Sequence, residues 1–240
     1  MIRSLRLLLI LFPAFSLLLT ILSCSQDYYE KGEGKYSLMR GDFAEAQVDQ
    51  AKQIVSILTD DGELLPLVKP ETKKWTTTAD TIYRCMLYYN KVENDQGGFS
   101  ADVISIGQVP CPEVKLLKDF DKELRTDPVK FESIWLSRSG KYLNLFLQLK
   151  TGTTEDTSAV QSLAVICDTI IRKPAPSSVT SDSIRNIHLT LHHDQGKVPE
   201  YYSTKVYLSI PTAALPADSV CLSMNTYNGP VVKTLSLRRK

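Results

Sequence analysis

The segment Tyr142–Leu149 reads YLNLFLQL, with a leucine at every second position from Leu143 onward. Successive side chains of a β-strand point to opposite faces, so this period of two predicts a strand with one apolar face. Similar short segments follow as far as Leu237, separated by clusters of Pro, Ser, Gly and Asn. About seven strands at regular spacing are typical of a sandwich. We therefore predict an immunoglobulin-like β-sandwich over residues 126–240.

The residues before this region predict a second, smaller β structure. Thr59-Asp60-Asp61-Gly62 is a strong hairpin turn signal between two apolar segments. The long segment Thr81–Val92 has apolar residues on both faces, which suits a small curled sheet. We predict an OB-like β-barrel over residues 35–125. Its strand candidates are Lys35–Met39, Phe43–Val48, Gln53–Leu58, Leu64–Val68, Thr81–Val92 and Phe99–Val109.

One short helix is expected between the barrel and the sandwich. In Glu113–Arg125 the apolar residues Val114, Leu117 and Leu124 recur at a mostly helical spacing, with charged residues between them. Thr126-Asp127-Pro128 would end this helix. We place the domain boundary there, so the chain as a whole is predicted to be mainly β with two domains.

The first 24 residues indicate where the protein acts. Arg3 and Arg6 precede an apolar run, Leu7–Leu22, and the segment Ile21–Cys24 fits a lipobox. This order predicts a lipoprotein signal peptide over residues 1–23, with lipid attached to Cys24. An uncleaved membrane anchor is the alternative, but Pro13 interrupts the run. Residues 24–34 are polar and contain glycine, which is typical of a flexible tether.

Composition excludes one class of partner. The chain has 28 basic and 27 acidic residues, a net charge of +1 and no run of Lys or Arg. Proteins that bind nucleic acid neutralise phosphates with a basic stripe. We therefore expect no nucleic-acid partner, and a membrane contact made through the lipid on Cys24.

Four cysteines follow Cys24, in a compartment that permits disulfides. Three pairings are possible. The local pairs are Cys85 with Cys111 and Cys167 with Cys221; the alternative is that all four are unpaired, buried, small apolar residues. None has the C-x-x-C spacing of a redox or zinc motif.

The chemistry-bearing residues do not form a catalytic motif. His188 and His192 would be roughly 13 Å apart along a strand, too far to share a metal ion. His193 with Asp194 is more typical of a solvated turn than of a metal site. The chain has no nucleophile elbow, P-loop or dinucleotide motif. We predict no catalytic residue, no metal, no cofactor and no enzymatic activity.

Aromatic residues offer the clearest candidate for binding. Tyr83, Tyr88, Tyr89 and Phe99 lie on adjacent strand candidates, and such residues on OB folds stack on extended ligands. These four are our candidate ligand-binding residues, although such residues more often pack the barrel. Trp135 is expected in the sandwich core.

Several segments together resemble the NigD-like lipoproteins of Bacteroides-type bacteria. The segments are the lipobox at Cys24, Ile54–Leu65, Asp127–Val129, Ile134-Trp135, Tyr142–Leu145, His188–Leu191 and Tyr207–Ile210. The resemblance implies an N-terminal OB-like domain and a C-terminal β-sandwich. It also implies an accessory or immunity role linked to a bacteriocin, and it provides no catalytic residue.

We therefore expect a non-enzymatic binding protein, lipid-anchored in the outer membrane, on the cell surface or on the periplasmic face. Its ligand would be an unknown protein, peptide or glycan. One alternative is a structural or adhesive component that pairs through the edge strand Val231–Leu237. Another is a glycan-binding lipoprotein of an outer-membrane uptake system.

Overall fold

A computed structural model of the chain describes residue 34, residues 36–174 and residues 183–237, and these residues are mainly β. The predicted signal peptide, Cys24 and the tether as far as residue 33 lie outside the described residues. Within the described residues, no helix is long and apolar enough to cross a membrane.

The N-terminal strands form a closed barrel in the order β1-β2-β3-β5-β4. β1 closes the barrel by pairing antiparallel with β4, and β3 pairs parallel with β5. Its own core contains Ile54, Ile57, Leu87 and Tyr89, all fully buried. The predicted small barrel is confirmed. Its strands are β1 (Arg40–Val48), β2 (Ile54–Thr59), β3 (Leu64–Glu71), β4 (Thr81–Glu93) and β5 (Phe99–Gln108).

The β2–β3 turn is the predicted hairpin turn. Gly62 has φ +87°, a left-handed value that favours glycine. Its N–H donates to the Thr59 carbonyl at 2.9 Å. The predicted strand Lys35–Met39 is wrong: residues 36–38 form a turn, in which the Ser37 N–H donates to the Gly34 carbonyl at 2.9 Å.

The remaining strands form two sheets. One has five strands in the order β13-β12-β10-β9-β6, and the other has three in the order β11-β8-β7. The β10–β12 and β6–β9 pairs are parallel. The strands are β6 (Val114–Leu116), β7 (Lys130–Leu136), β8 (Tyr142–Thr151), β9 (Ser162–Pro174), β10 (Ser183–Asp194), β11 (Tyr202–Pro211), β12 (Ser219–Thr226) and β13 (Gly229–Ser236).

The two sheets share one hydrophobic core, separate from that of the barrel. The leucines of β8 are buried in it, with Val165 of β9, Leu189 of β10 and Leu222 of β12. The alternation in Tyr142–Leu149 therefore predicted both the strand and its buried face. Asn144, on the opposite face of β8, is also fully buried, because that face packs against the barrel.

The predicted helix over Glu113–Arg125 is wrong. Residues 114–116 form β6 and residues 117–119 form a single 3-10 turn. Leu116, Leu117 and Leu124 are 39%, 45% and 37% exposed. A short helix depends on burying an apolar stripe against its neighbours. Here Val114 packs against the core of the two sheets from a β-strand, while the three leucines stay exposed. Parallel pairing with residues 165–167 of β9 gives its backbone hydrogen bonds instead.

The segment that follows, residues 125–129, lies between the ends of β10 and β12. The His193 N–H donates to the Arg125 carbonyl at 3.0 Å, and the Asp127 N–H donates to the His193 carbonyl at 2.9 Å. On the other side, the Val129 N–H donates to the Asn225 carbonyl at 3.0 Å. The Asp127-Pro128 segment, predicted as a boundary, is therefore hydrogen-bonded to two strands of the five-stranded sheet.

Candidate functional site

A buried arginine holds the barrel against the three-stranded sheet. Arg84 of β4 has a side chain that is only 1% exposed, and it forms a two-pronged ion pair with Asp60, both N–O distances being 2.7 Å. Its guanidinium also donates to Ser209 at 3.2 Å and to Asn144 at 3.3 Å. It lies 4.1 Å from the ring centre of Tyr142. Because a buried guanidinium must keep these partners, Arg84 fixes the positions of the elements that carry them.

A second polar contact lies beside it. Glu45 of β1 is 8% exposed and accepts a hydrogen bond from the Tyr142 hydroxyl at 2.9 Å. Lys141 forms an ion pair with the same carboxylate at 2.8 Å. Burial raises the pKa of Tyr142, as does the Glu45 carboxylate. The phenol therefore stays protonated and remains a donor.

Aromatic rings complete this contact. Phe43 of β1 meets Trp135 of β7 and Tyr207 of β11 edge to face, with centroids 5.6 and 5.4 Å apart. Tyr207 in turn stacks on Phe146 at 4.6 Å. Trp135 is therefore not in the predicted core. It pairs in register with Asn144, whose side chain faces the barrel. We call the contact between these barrel strands and the three-stranded sheet the junction.

An open cavity of about 340 Å³ lies at the junction. We call this cavity the junction groove. Met86 and Tyr88 of β4 line one side, and Lys205 and Tyr207 of β11 line the other. Tyr88 is 38% exposed. Gly107 of β5 also lines the groove, and a Cβ there would have no heavy atom within 4 Å. The groove can offer aromatic surface, a thioether and one ammonium group to a ligand.

The four predicted aromatic residues are not brought together. Tyr89 is fully buried in the barrel, where its hydroxyl donates to Asp42 at 2.9 Å and burial raises its pKa to about 12. Tyr83 lies on the same face of β4 and packs edge to face on Trp75 at 5.5 Å. The Tyr83 hydroxyl lies 3.3 Å from the Thr77 hydroxyl and accepts hydrogen bonds from the Thr77 and Thr78 backbone amides, and these contacts lower the pKa of Tyr83 to about 8.

Phe99 is also outside the groove. It is 46% exposed, and the Lys91 ammonium lies 4.4 Å from its ring centre. Of the predicted residues, only Tyr88 lines the groove. Sequence reasoning missed Lys205 and Tyr207. Alternation with Leu208 and Ile210 could have shown that Tyr207 points away from the core, but not which surface it meets.

The sequence predicted a solvated turn at His193-Asp194. The prediction is wrong for the histidines, because His192 and His193 are 2% and 1% exposed. His193 Nδ1 lies 2.9 Å from the Asp127 carbonyl. His192 Nδ1 accepts a hydrogen bond from the Arg125 N–H at 3.1 Å, and burial lowers the pKa of His192. Both rings hold residues 125–129 in place. Within the described residues, no group of three or more His, Cys, Asp or Glu is arranged to bind a metal ion.

The four cysteines downstream of Cys24, all of them described, are unpaired. Cys85 and Cys167 are buried, Cys221 is half-buried and Cys111 is exposed. Burial raises the pKa of Cys85 to about 12, so it is an unreactive thiol. Neither local disulfide occurs in this structure.

Comparison with known proteins supports the fold. No family model matches the chain, and no curated protein matches it. It is similar to the crystal structure of a NigD-like immunity protein from Bacteroides caccae. That match has 22% identity and a TM-score of 0.58, and covers 88% of this chain and 94% of the other.

Two further crystal structures are similar. A candidate lipoprotein from Bacteroides fragilis matches with 10% identity and a TM-score of 0.58, over 84% of this chain and 98% of the other. A candidate toxin-related protein from Parabacteroides distasonis matches with 15% identity and a TM-score of 0.55, over 82% and 92%. The resemblance to NigD-like proteins inferred from the sequence is confirmed at the level of the fold.

Proposed function

We propose that this protein is a lipid-anchored, non-enzymatic binding protein of the cell envelope that holds its partner in the junction groove. The observation that carries this proposal is the placement of Tyr88 and Tyr207 across one open groove. Arg84 and Glu45 hold the two sides of the groove in a fixed relation. Pre-organised aromatic surface with few polar groups is typical of a binding site.

The proposed division of the chain is an OB-like barrel formed by β1–β5 and an immunoglobulin-like sandwich that begins at β6. The boundary predicted between residues 125 and 126 therefore lies too late in the chain, because Val114–Leu116 pair with β9. The separate hydrophobic cores of the barrel and of the two sheets support this division. Binding at the contact between two such units is common in proteins.

The proposed anchor is lipid on Cys24 after removal of residues 1–23, which would hold the protein in the outer membrane. The lipobox pattern Ile21–Cys24 supports it, as does the fold shared with a candidate lipoprotein. The side of the membrane can be tested by treating intact cells with protease. We expect degradation of wild type if it faces outward, protection if it faces the periplasm, and release of Cys24→Ala from the membrane in both cases. Membrane retention of Cys24→Ala would contradict the lipid anchor.

The proposed partner is a bacteriocin or a protein of its immunity system. The fold is shared with proteins named as NigD-like immunity and candidate toxin-related proteins. In this cavity of about 340 Å³, Met86, Tyr88 and Tyr207 offer apolar and aromatic surface to the side chains of a peptide, and Lys205 offers a positive charge.

The first test is whether expression of the full chain protects a bacteriocin-sensitive strain against the bacteriocin made by the bacterium that carries this protein. We expect the full chain to protect, and Tyr88→Ala or Tyr207→Ala to weaken binding of the purified bacteriocin by about tenfold, which corresponds to about 1.4 kcal/mol. Phe99→Ala, an exposed aromatic outside the groove, is the matched control and should bind normally. Equal binding by Tyr88→Ala, Tyr207→Ala and wild type would contradict the groove as the site.

Edge pairing is the second candidate function, because β13 is an edge strand of the five-stranded sheet. Val232 on this strand is 61% exposed. A lysine on an edge strand opposes pairing with another chain. Val232→Lys should abolish adhesion if β13 is the adhesive edge, and should leave groove binding unchanged.

A glycan in the groove is the remaining alternative, and a glycan panel probed with wild type and Tyr88→Ala tests it.

A further inference from the structure

Another cavity, lined by different residues from the junction groove, lies on the outer face of the five-stranded sheet. Its volume is about 330 Å³, which suits a small molecule. His192 of β10 pairs in register with Ala164 of β9, so the two side chains share one face of the sheet. The next pair, Leu191 with Val165, points into the core of the two sheets. His192 and Ala164 therefore point outward, and both line this cavity, which we call the histidine cavity.

Residues 120–125 cover His192, so that it is only 2% exposed although it lies on the outer face. The Phe120 ring meets the imidazole edge to face, with the ring centroids 4.9 Å apart. The Arg125 N–H donates to Nδ1 of His192 at 3.1 Å. Because Nδ1 accepts this hydrogen bond and burial lowers the pKa of His192, the ring is neutral and carries its proton on Nε2.

The Nε2–H group of His192 is a buried donor without a partner. Among the described residues, no acceptor forms a hydrogen bond with it. A buried donor that stays unpaired destabilises the folded state, and such groups in proteins normally have a partner. Since Nδ1 is already bonded to the Arg125 backbone, Nε2–H is the polar group of this ring that a ligand in the cavity can use. That ligand must offer an acceptor.

The charged residues of the histidine cavity restrict the ligand further. Its lining includes Glu113, Lys115, Asp121 and Lys122. Within the described part of the chain, none of these four side chains forms an ion pair. Two are ammonium groups and two are carboxylates, so a simple anion would meet two like charges, and so would a simple cation. A ligand that carries one charge of each sign can pair with both kinds of group.

Apolar surface lies beside these charges. Pro112, Leu163 and Phe120 also line the histidine cavity. An aliphatic group placed against them is removed from water, which favours binding. The cavity therefore combines a buried donor, charges of both signs and a small apolar surface.

We infer that the histidine cavity binds a free amino acid with an aliphatic side chain, such as leucine. Its carboxylate accepts a hydrogen bond from His192 Nε2–H and pairs with Lys115 and Lys122. Its ammonium group pairs with Glu113 and Asp121, and its side chain lies on the apolar lining. A neutral sugar also offers acceptors to Nε2–H, but it would gain no ion pairs from the charges. This inference is independent of the function proposed for the junction groove.

The first experiment compares three probes of similar shape on the full chain by titration calorimetry. The probes are leucine, isocaproate, which lacks the ammonium group, and isoamylamine, which lacks the carboxylate. We expect leucine to bind about tenfold more tightly than either of the other two, because it forms ion pairs of both kinds. In NMR spectra of protein with isotope-labelled histidine, leucine should also shift the Nε2–H signal of His192.

The second experiment tests the charges with matched variants at exposed positions. Lys122→Met should weaken leucine binding about fivefold, whereas Lys118→Met, which lies outside the cavity, should bind leucine as wild type does. Asp121→Asn should also weaken leucine binding about fivefold, without weakening that of isocaproate. Its control is Asp119→Asn, in the 3-10 turn.

Any of four results would overturn the inference. An unchanged His192 Nε2–H signal at saturating leucine would show that the buried donor is not used. Isocaproate that binds as tightly as leucine would show a site for simple anions. Glucose that shifts the Nε2–H signal when leucine does not would favour a sugar. Equal leucine affinity in Lys122→Met and Lys118→Met would show that the lining charges play no part.

Discussion

The core of the two sheets and the junction are both buried, but they are built from different chemistry. The core consists mainly of leucines, isoleucines and valines, with Cys167 and Met224 among them. The junction contains a buried arginine, a carboxylate, an asparagine and stacked rings. Apolar packing is non-directional and tolerates exchange of similar residues, whereas a buried ion pair depends on each partner. The core therefore provides stability, and the junction determines how the barrel and the sheet meet.

The largest effect is expected in the core. Leu145 is fully buried in β8, and Leu145→Ala should lower the free energy of unfolding by about 4 kcal/mol, because it leaves a cavity. Urea denaturation measures this. Leu145→Met, which keeps the volume, should lower it by less than about 1.5 kcal/mol. Equal losses in the two variants would show that the core is as position-specific as the junction.

Arg84→Met should have the next largest effect, lowering the free energy of unfolding by about 3 kcal/mol, because Asp60 and Asn144 lose their partner. It should also loosen the junction groove, measured as weaker bacteriocin binding. Arg138→Met is the control. Arg138 is 81% exposed and forms an ion pair at 3.1 Å with Asp61, the neighbour of Asp60 in the β2–β3 turn. Its substitution should change the free energy of unfolding by less than about 1 kcal/mol. If Arg84→Met matches this control, the ion pair does not hold the junction.

The smallest effect is a pH dependence in the five-stranded sheet. The pKa of His192 is lowered by burial, so its neutral form is favoured in the folded state. Its contribution is present above the unfolded pKa of about 6.5 and is lost as the pH falls below that value. The wild type should therefore lose a few degrees of thermal midpoint on acidification, and His192→Phe should lose less. Identical profiles for both proteins would contradict this linkage.

This contrast explains what could be predicted from the sequence. Strand β8 could be predicted because the alternation of its leucines is visible within the segment itself. The hairpin turn at residues 59–62 could be predicted for the same reason, because its turn residues are consecutive in the sequence. The helix prediction over residues 113–125 failed because Val114 packs on the core of the sheets from a β-strand, while Leu116, Leu117 and Leu124 stay exposed and form no buried apolar stripe. Periodicity describes a segment and says nothing about its neighbours.

The junction was beyond sequence reasoning for the same reason. Arg84 lies within an apolar strand, and nothing nearby explains a charge there. Tyr88 was correctly placed on a strand, but Tyr207 comes from a distant one. The four chosen aromatics were treated as one face, although Tyr83 and Tyr89 point into the barrel and Tyr88 points out of it.

The partners of Arg84 are spread widely along the chain. Every strand of the barrel lies within residues 40–108, so the barrel can close from nearby segments. Asn144 lies 60 positions after Arg84 and Ser209 lies 125 positions after it. The guanidinium therefore gains these two partners only after the strands that carry them, β8 and β11, have been synthesised. A chain that ends before β11 lacks the Ser209 hydroxyl and the Tyr207 ring, so we expect the face of its barrel that carries Phe43 and Arg84 to be more exposed to water.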